Sequence, residues 1–311
     1  MSRSNPEHHP DLYAEITEQI ITALEAGTPP WVCPWTPQHD SQLPANLTTG
    51  RRYRGINVLL LNLRQMAAGY PTAQWLTFQQ AQGIGARVRK GEHGTRIVFF
   101  KLLEREDGEG AAGAGAGAAL DESTRRVVPL LRSFTVFNAA QVDKLPDSLN
   151  PTAPDELDRP WNPCDAADEL LLRSGALFRH GGDRAYYSPV QDLIQLPQLQ
   201  AFHDEVGYYN TALHELTHWT GHASRCNRLL KGRQHIEAYA FEELVAEMGS
   251  AFLSSLCGLP GQLHHASYIQ SWLHALRNDK RLIFSAASLA QKAADYLVAN
   301  TRLSQGEEVA A

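Results

Sequence analysis

His214 and His218 stand four residues apart, with Glu215 directly after the first. That spacing acquires chemistry only on a helix, where residues four apart share a face and two imidazoles can reach one metal ion. Glu215, one position round, is no ligand but can reach a water on that ion. The flanks suit a buried helix. Ala212 and Leu213 precede the pair, Leu216 and Thr217 carry no charge, and no proline interrupts. A solvated helix with a chance histidine pair would more often hold Lys, Arg or Glu in those gaps.

The third ligand sets the type of site. One pattern places a third histidine ten residues after the first and a glycine at the seventh. Gly221 is present, but Ser224 occupies the histidine position and His222 falls two residues early. The stretch from Tyr239 to Leu253 is an uninterrupted helix candidate with apolar residues at helical spacing. Glu243 and Glu247 share a face of it, while Glu242 is turned about 100° away. Glu243 is assigned as the third ligand and Glu247 as the acceptor that orients a ligand histidine. Glu242 stays open as an alternative ligand.

Three protein ligands leave a fourth position for water. Zinc would lower the pKa of that water to about 7, and Glu215 could take its proton as it attacks a carbonyl. This is the chemistry of a hydrolase, with peptide bonds the leading substrate. Zn2+ is the leading ion, although the same donors accept Mn2+, Fe2+ or Co2+. Tyr187, Tyr208, Tyr209 and Tyr239 are candidate oxyanion donors, and spacing does not choose among them. His222, His235, His264, His265 and His274 read as surface or internally satisfied histidines.

A second concentration of chemistry lies between Gly50 and Lys101. Nine basic residues there face a single acid, Glu92, in a chain whose net charge is −6. Aromatic residues are interleaved. Arg51, Arg52, Tyr53, Arg54 and Asn57 combine guanidinium groups, a ring and an amide between glycines; Arg87, Arg89 and Lys90 form a second basic turn, and Trp75 lies between the two. Cations that follow phosphates and rings that stack on unpaired bases are the ingredients of single-stranded DNA binding. No recognition helix or zinc-finger spacing of a duplex reader is present. The acidic total argues against a protein that coats nucleic acid with its whole surface.

Around these two sites the 311 residues suffice for two domains. Asp11 to Ala26 is an amphipathic helix capped by Asp11, followed by a proline-rich stretch with Trp31 and Trp35. Ile56 to Met66 reads as a buried helix, Trp75 to Gly83 as strand turning into helix, and Thr95–Lys101 and Arg132–Asn138 as strands. A Gly/Ala run at 108–119 reads as a mobile loop between them. These elements make residues 1–146 an α+β DNA-binding domain, with a linker at 147–160. Residues 161–303 follow as a mainly helical domain with a small sheet, where 185–197 suggests two strands able to hold an extended peptide. The tail at 304–311 reads as disordered. Four scattered cysteines, no apolar leader and no membrane-length apolar run fit a soluble protein of the cytoplasm.

The motifs Thr49–Asn57, Trp75–Phe78, Val88–Glu92, Val136–Asn138, His214–His222 and Tyr239–Glu247, in this order, resemble the ArdC antirestriction family of conjugative plasmids and related plasmid primase-like proteins. The resemblance implies an N-terminal single-stranded-DNA-binding domain and a C-terminal zincin-like metallopeptidase domain. It also implies a role in protecting incoming plasmid DNA from host restriction. The family's metal pattern falls on His214, His218 and Glu243, with Glu215 as base, and the Gly/Ala run departs from it. Two functions compete: a DNA-tethered metallopeptidase acting on an unidentified protein, and a strand-shielding protein whose peptidase domain is idle or structural. A nuclease is disfavoured, because no carboxylate cluster offers a second metal site.

Overall fold

The computed structural model describes residues 11–31, 43–105, 126–149, 163–230, 236–260, 268–299 and 301. Trp35, His235, His264, His265, the Gly/Ala run at 108–119, most of the expected linker and the tail at 304–311 lie outside the described residues.

Helix α1 (Leu12–Glu25) starts where the sequence places it. The Asp11 carboxylate accepts from the amides of Tyr13 and Ala14 at 3.0 and 3.4 Å, satisfying donors that a helix start leaves open. Then follow β1 (Ala45–Asn46), α2 (Ile56–Ala68), β2 (Gln74–Thr77), α3 (Phe78–Gly83), β3 (Arg87–Val88), β4 (Thr95–Arg105), β5 (Arg126–Asn138) and β6 (Val142–Asp143). The change from strand to helix at Phe78 is made by a capping box, in which Thr77 and Gln80 each bond the other's backbone amide. A four-stranded sheet runs β1-β2-β5-β4, and β3 pairs with β6. β4 and β5 are antiparallel from Thr95 opposite Val136 to Arg105 opposite Arg126, longer than the two strands read from the sequence.

The second half holds α4 (Pro163–Ser174), β7 (Leu177–His180), β8 (Tyr186–Ser188), β9 (Leu193–Leu196), α5 (Glu205–Thr220), α6 (Ile236–Cys257), α7 (Ile269–Asn278) and α8 (Leu282–Val298). The expected strand pair in 185–197 is β8 and β9; β7, which pairs parallel with β9, is an addition. The architecture is the expected α+β: a sheet-bearing N-terminal half and a mainly helical half with a small sheet.

The hydrophobic core does not divide at the expected linker. One buried cluster joins Ile16, Ile20 and Leu24 of α1 and Leu59 of α2 to Leu213, Leu244, Trp272 and Ile283 of the C-terminal helices. Helix α1 is held on α7 and α8 by the Tyr13–Phe284 ring contact and a bond from Thr17 to the Lys280 carbonyl. Ion pairs Asp11–Lys280 and Glu25–Arg277 flank it. Trp31 of the proline-rich stretch plugs this core edge-on to Trp272. A smaller cluster of Leu61, Trp75, Ile97 and Val136 glues α2 to the N-terminal sheet.

Close crossing of α5 and α6 makes the rest possible. At Gly249 an added Cβ would stand 2.5 Å from the Thr217 methyl, so only glycine lets the helices approach this closely.

Candidate metal centre and basic groove

Asp204 caps α5 by accepting from the Gly207 amide at 2.7 Å, which sets the helix phase that turns His214 and His218 inward. Their rings lie 4.8 Å apart at 80°. From α6 the Glu243 carboxylate meets both: Oε2 is 3.5 Å from His214 Nε2 and Oε1 is 3.6 Å from His218 Nε2. One ligand atom from each of the three lies within 4.8 Å of the others. Donors bound tetrahedrally at zinc's usual distances sit about 3.3 Å apart, so this trio fits a divalent ion with little movement. The His214 side chain is 2% exposed and that of His218 13%. Glu215 is buried beside them on α5.

Glu242, the alternative ligand in the sequence, has another role. Its Oε1 is 3.2 Å from His218 Nδ1, the ring nitrogen away from Glu243. Arg228 grips the same carboxylate from Nε at 3.0 Å and Nη2 at 2.8 Å, and also donates to the Thr217 carbonyl and the Thr220 hydroxyl. Glu242 therefore orients His218, and Arg228 orients Glu242. Glu247, expected in that orienting role, is buried one turn beyond Glu243. Arg228 left no signal in the sequence, because the loop after α5 brings it back by a path no periodicity describes.

The charges reinforce each other. Burial depresses the His218 imidazolium, but Glu242 and Glu243 outweigh it and raise its pKa from 6.5 to about 10. Burial pushes the Glu243 carboxyl up, yet the bonds and charges of His214 and His218 hold it far below the usual carboxylate range. Burial acts the same way on Glu242, and His218 and Arg228 lower it.

Three tyrosines proposed as oxyanion donors already hold partners. Tyr187 donates to Asp192 at 2.8 Å and accepts from Arg225, Tyr209 donates to Asp168 at 2.9 Å, and Tyr208 meets His180 at 2.9 Å. Arg225 lies 3.7 Å over the Trp219 ring and also binds Asp192, clamping the end of α5 to the turn between β8 and β9. His222 bonds Ser224 within its own turn, and His274 bonds Asn278.

The basic residues separate into two places. Arg51, Arg52, Tyr53 and Arg54 line a groove of about 1030 Å³, whose other walls are β4–β5 and α8. Arg87 instead lines a cavity of about 540 Å³ with Phe78 and Gln82. Arg89 pairs with Glu92 at 2.7 Å and approaches Asp143, and Lys90 is exposed. One expected strand contact is corrected. Trp75 is 0% exposed, edge-on to Tyr70, and presents no face to a base. Asn57 lines the same groove as the arginines, and its amide exchanges two 2.8 Å bonds with the Val98 backbone, tying α2 to β4. Among the described residues that line the groove, Phe99 and Phe134 are exposed rings, each 48% exposed, 5.3 Å apart and edge-on. Alternation could have marked Phe134 as outward-facing, but not as a neighbour of the arginine loop.

Comparison with known proteins covers both halves. Residues 10–137 match the model of the N-terminal domain of anti-restriction factor ArdC, and residues 165–289 match that of a zincin-like metallopeptidase. The crystal structure of metal-free antirestriction ArdC protein from plasmid R388 superposes with a TM-score of 0.75 at 42% identity, covering 92% of this chain and 96% of that one. Its Mn(II)-bound structure superposes at 0.74, again at 42% identity, covering 93% and 98%. The uncharacterized protein y4eC of Sinorhizobium fredii (strain NBRC 101917 / NGR234) is 40% identical over 310 residues, 98% of this chain and 97% of its own length. Two Escherichia coli proteins named DNA primase TraC are each 41% identical over 95% and 92% of this chain, which spans only 20% and 27% of their lengths.

Proposed function

The chain belongs to the ArdC antirestriction family, and from that premise we propose that it binds single-stranded DNA and hydrolyses a protein near it, protecting incoming plasmid DNA from host restriction. The DNA is assigned to residues 1–146 and the hydrolysis to residues 161–303. One observation carries the peptidase reading: His214, His218 and Glu243 converge on a single point with Glu215 beside it.

A divalent ion held by those three side chains supplies a Lewis acid. Two imidazoles and a carboxylate suit Zn2+ and Mn2+ alike, and the R388 relative has been crystallised with Mn(II). Glu215 takes a proton from the water as its oxygen adds to the carbonyl carbon, and then gives that proton to the amine nitrogen, so that the C–N bond breaks and the carbonyl re-forms. Glu242 fixes the His218 ring with Nε2 toward Glu243, which keeps the donor set assembled before substrate arrives. β8, an edge strand beside α5, offers backbone groups to an extended substrate chain. No described helix is long and apolar enough to cross a membrane.

A second reading, strand shielding without hydrolysis, is favoured by the groove, whose cations and rings serve DNA without any metal. Glu215→Gln separates the two. It is expected to keep metal and DNA binding and to lose both hydrolysis and antirestriction. Full antirestriction by this variant would refute the peptidase reading.

A further inference from the structure

The groove beside Arg54 contains an ion pair that works against the strand it is built to hold. Among the described residues its charged lining comprises Arg51, Arg52, Arg54, Arg132 and Lys292, with Asp295 as the one acid. One face of the β4–β5 pair runs through it. The inner end of that face, Ile97 and Val136, is buried against Trp75, whereas the outer end, Phe99 and Phe134, opens into the groove beside Arg132. Half-exposed phenyl rings among guanidinium groups are poor stability elements but good platforms for an unpaired base, because a duplex hides its base faces.

The opposite wall is α8, from the C-terminal half. Gln291 of α8 accepts from the Gly55 amide at 3.0 Å and donates to Asp295 Oδ1 at 3.0 Å, while Asp295 Oδ2 pairs with Arg54. The arginine loop is thus tied to a helix that packs on α5 and α6, the helices of the metal centre. We propose that this groove is a composite single-strand subsite shared by the two halves, with bases stacked at Phe99 and Phe134 and the Arg54–Asp295 pair acting as a latch that an incoming phosphate must displace. This rests on the strand-binding reading above. It adds a location that spans both halves and a residue, Asp295, whose loss strengthens binding.

The latch is half exposed at both ends, so a phosphate can compete for Arg54 without unfolding anything. Once Arg54 turns to the strand, Asp295 is left as an anion beside another anion, which lowers affinity and makes it depend on the state of α8.

The test is fluorescence-anisotropy titration of the full chain with labelled oligothymidylate of about 12 nucleotides, within the usual range for one strand-binding module, at several salt concentrations. Asp295→Asn is expected to bind about three- to tenfold more tightly at low salt. Phe134→Leu, which keeps an apolar side chain but removes the ring face, is expected to bind about tenfold more weakly with an unchanged salt slope, since no charge is lost. Both positions are substantially exposed, and thermal melts check that the variants fold. A duplex of equal length is expected to bind at least about tenfold more weakly than the single strand. Wild-type binding that is unaltered by both substitutions, or that takes duplex equally well, overturns the composite subsite and leaves strand binding standing. An absence of any binding by the wild type overturns both.

Discussion

Replacing Glu242 by Gln tests whether the metal centre is built on an orienting carboxylate. The carboxylate accepts from His218 Nδ1 at 3.2 Å and from Arg228 at 3.0 and 2.8 Å, with side chains only 7% and 2% exposed. Two costs follow and can be read separately. Arg228 would remain as a buried cation without a counter-charge, its other acceptors being the neutral Thr217 carbonyl and Thr220 hydroxyl. Breaking one side of a buried pair costs about 3–5 kcal/mol, and an amide that still accepts one bond sets the lower figure. For a chain of this size the lower figure is a fall in melting temperature of about 5 °C. The second cost falls on the ligand. A neutral amide neither holds the His218 tautomer as firmly nor raises the basicity of the ring, and loss of such a partner typically weakens metal binding about 10- to 100-fold. Chelator competition with Zn2+ or Mn2+, beside metal-free melting curves, measures the two effects. Adding Arg228→Met removes the stranded cation, so the double variant should recover stability without recovering metal affinity. If the metal constant of Glu242→Gln stays within twofold of wild type while stability falls, Glu242 serves only to neutralise Arg228, and the orienting argument is refuted.

Further outcomes follow from the same geometry. With its pKa at about 10, His218 is protonated at neutral pH in the metal-free protein, so metal binding should release about one proton and strengthen tenfold per pH unit between about 7 and 9. Calorimetry in buffers of different ionisation enthalpy counts that proton, and pH-independent binding would contradict it. The folded pKa of His218 lies above its unfolded value near 6.5, so its stabilisation of the metal-free fold is complete below that value. It fades as pH rises toward 10, which melting curves across that window should show. Trp75→Ala is expected to destabilise by about 3–5 kcal/mol, as a fully buried ring does, while the folded fraction keeps its affinity for single strands; selective loss of binding would restore Trp75 as a stacking residue. Gly249→Ala forces a Cβ against Thr217 and is expected to cost about 1–3 kcal/mol. Because the helices that part are those carrying His214 and Glu243, metal affinity should drop with it.

Local periodicity settled a good deal. The four-residue spacing of His214 and His218, the Asp11 cap and the change from strand to helix between Trp75 and Gly83 are short-range facts, and the structure has them where the sequence places them. An acid of α6 near the histidine pair was also legible, with Glu243 and Glu242 both open to that place, and the structure brings Glu243 to it. Only the tertiary structure decided what depends on how elements cross. The separation of roles between Glu243 and Glu242, adjacent on one helix, follows from the close approach of α5 and α6 at Gly249 and from Arg228 arriving out of a loop. Composition marked Trp75 as a strand-binding residue as readily as Arg52, yet the fold buries Trp75 and leaves Phe99 and Phe134 outside. Nor does any window of sequence reveal that α1 shares its core with α7 and α8, or that Asp295 meets Arg54. Residue type and spacing constrain a side chain's neighbours within a turn or two of helix. Which distant surface it faces depends on packing summed over the whole chain.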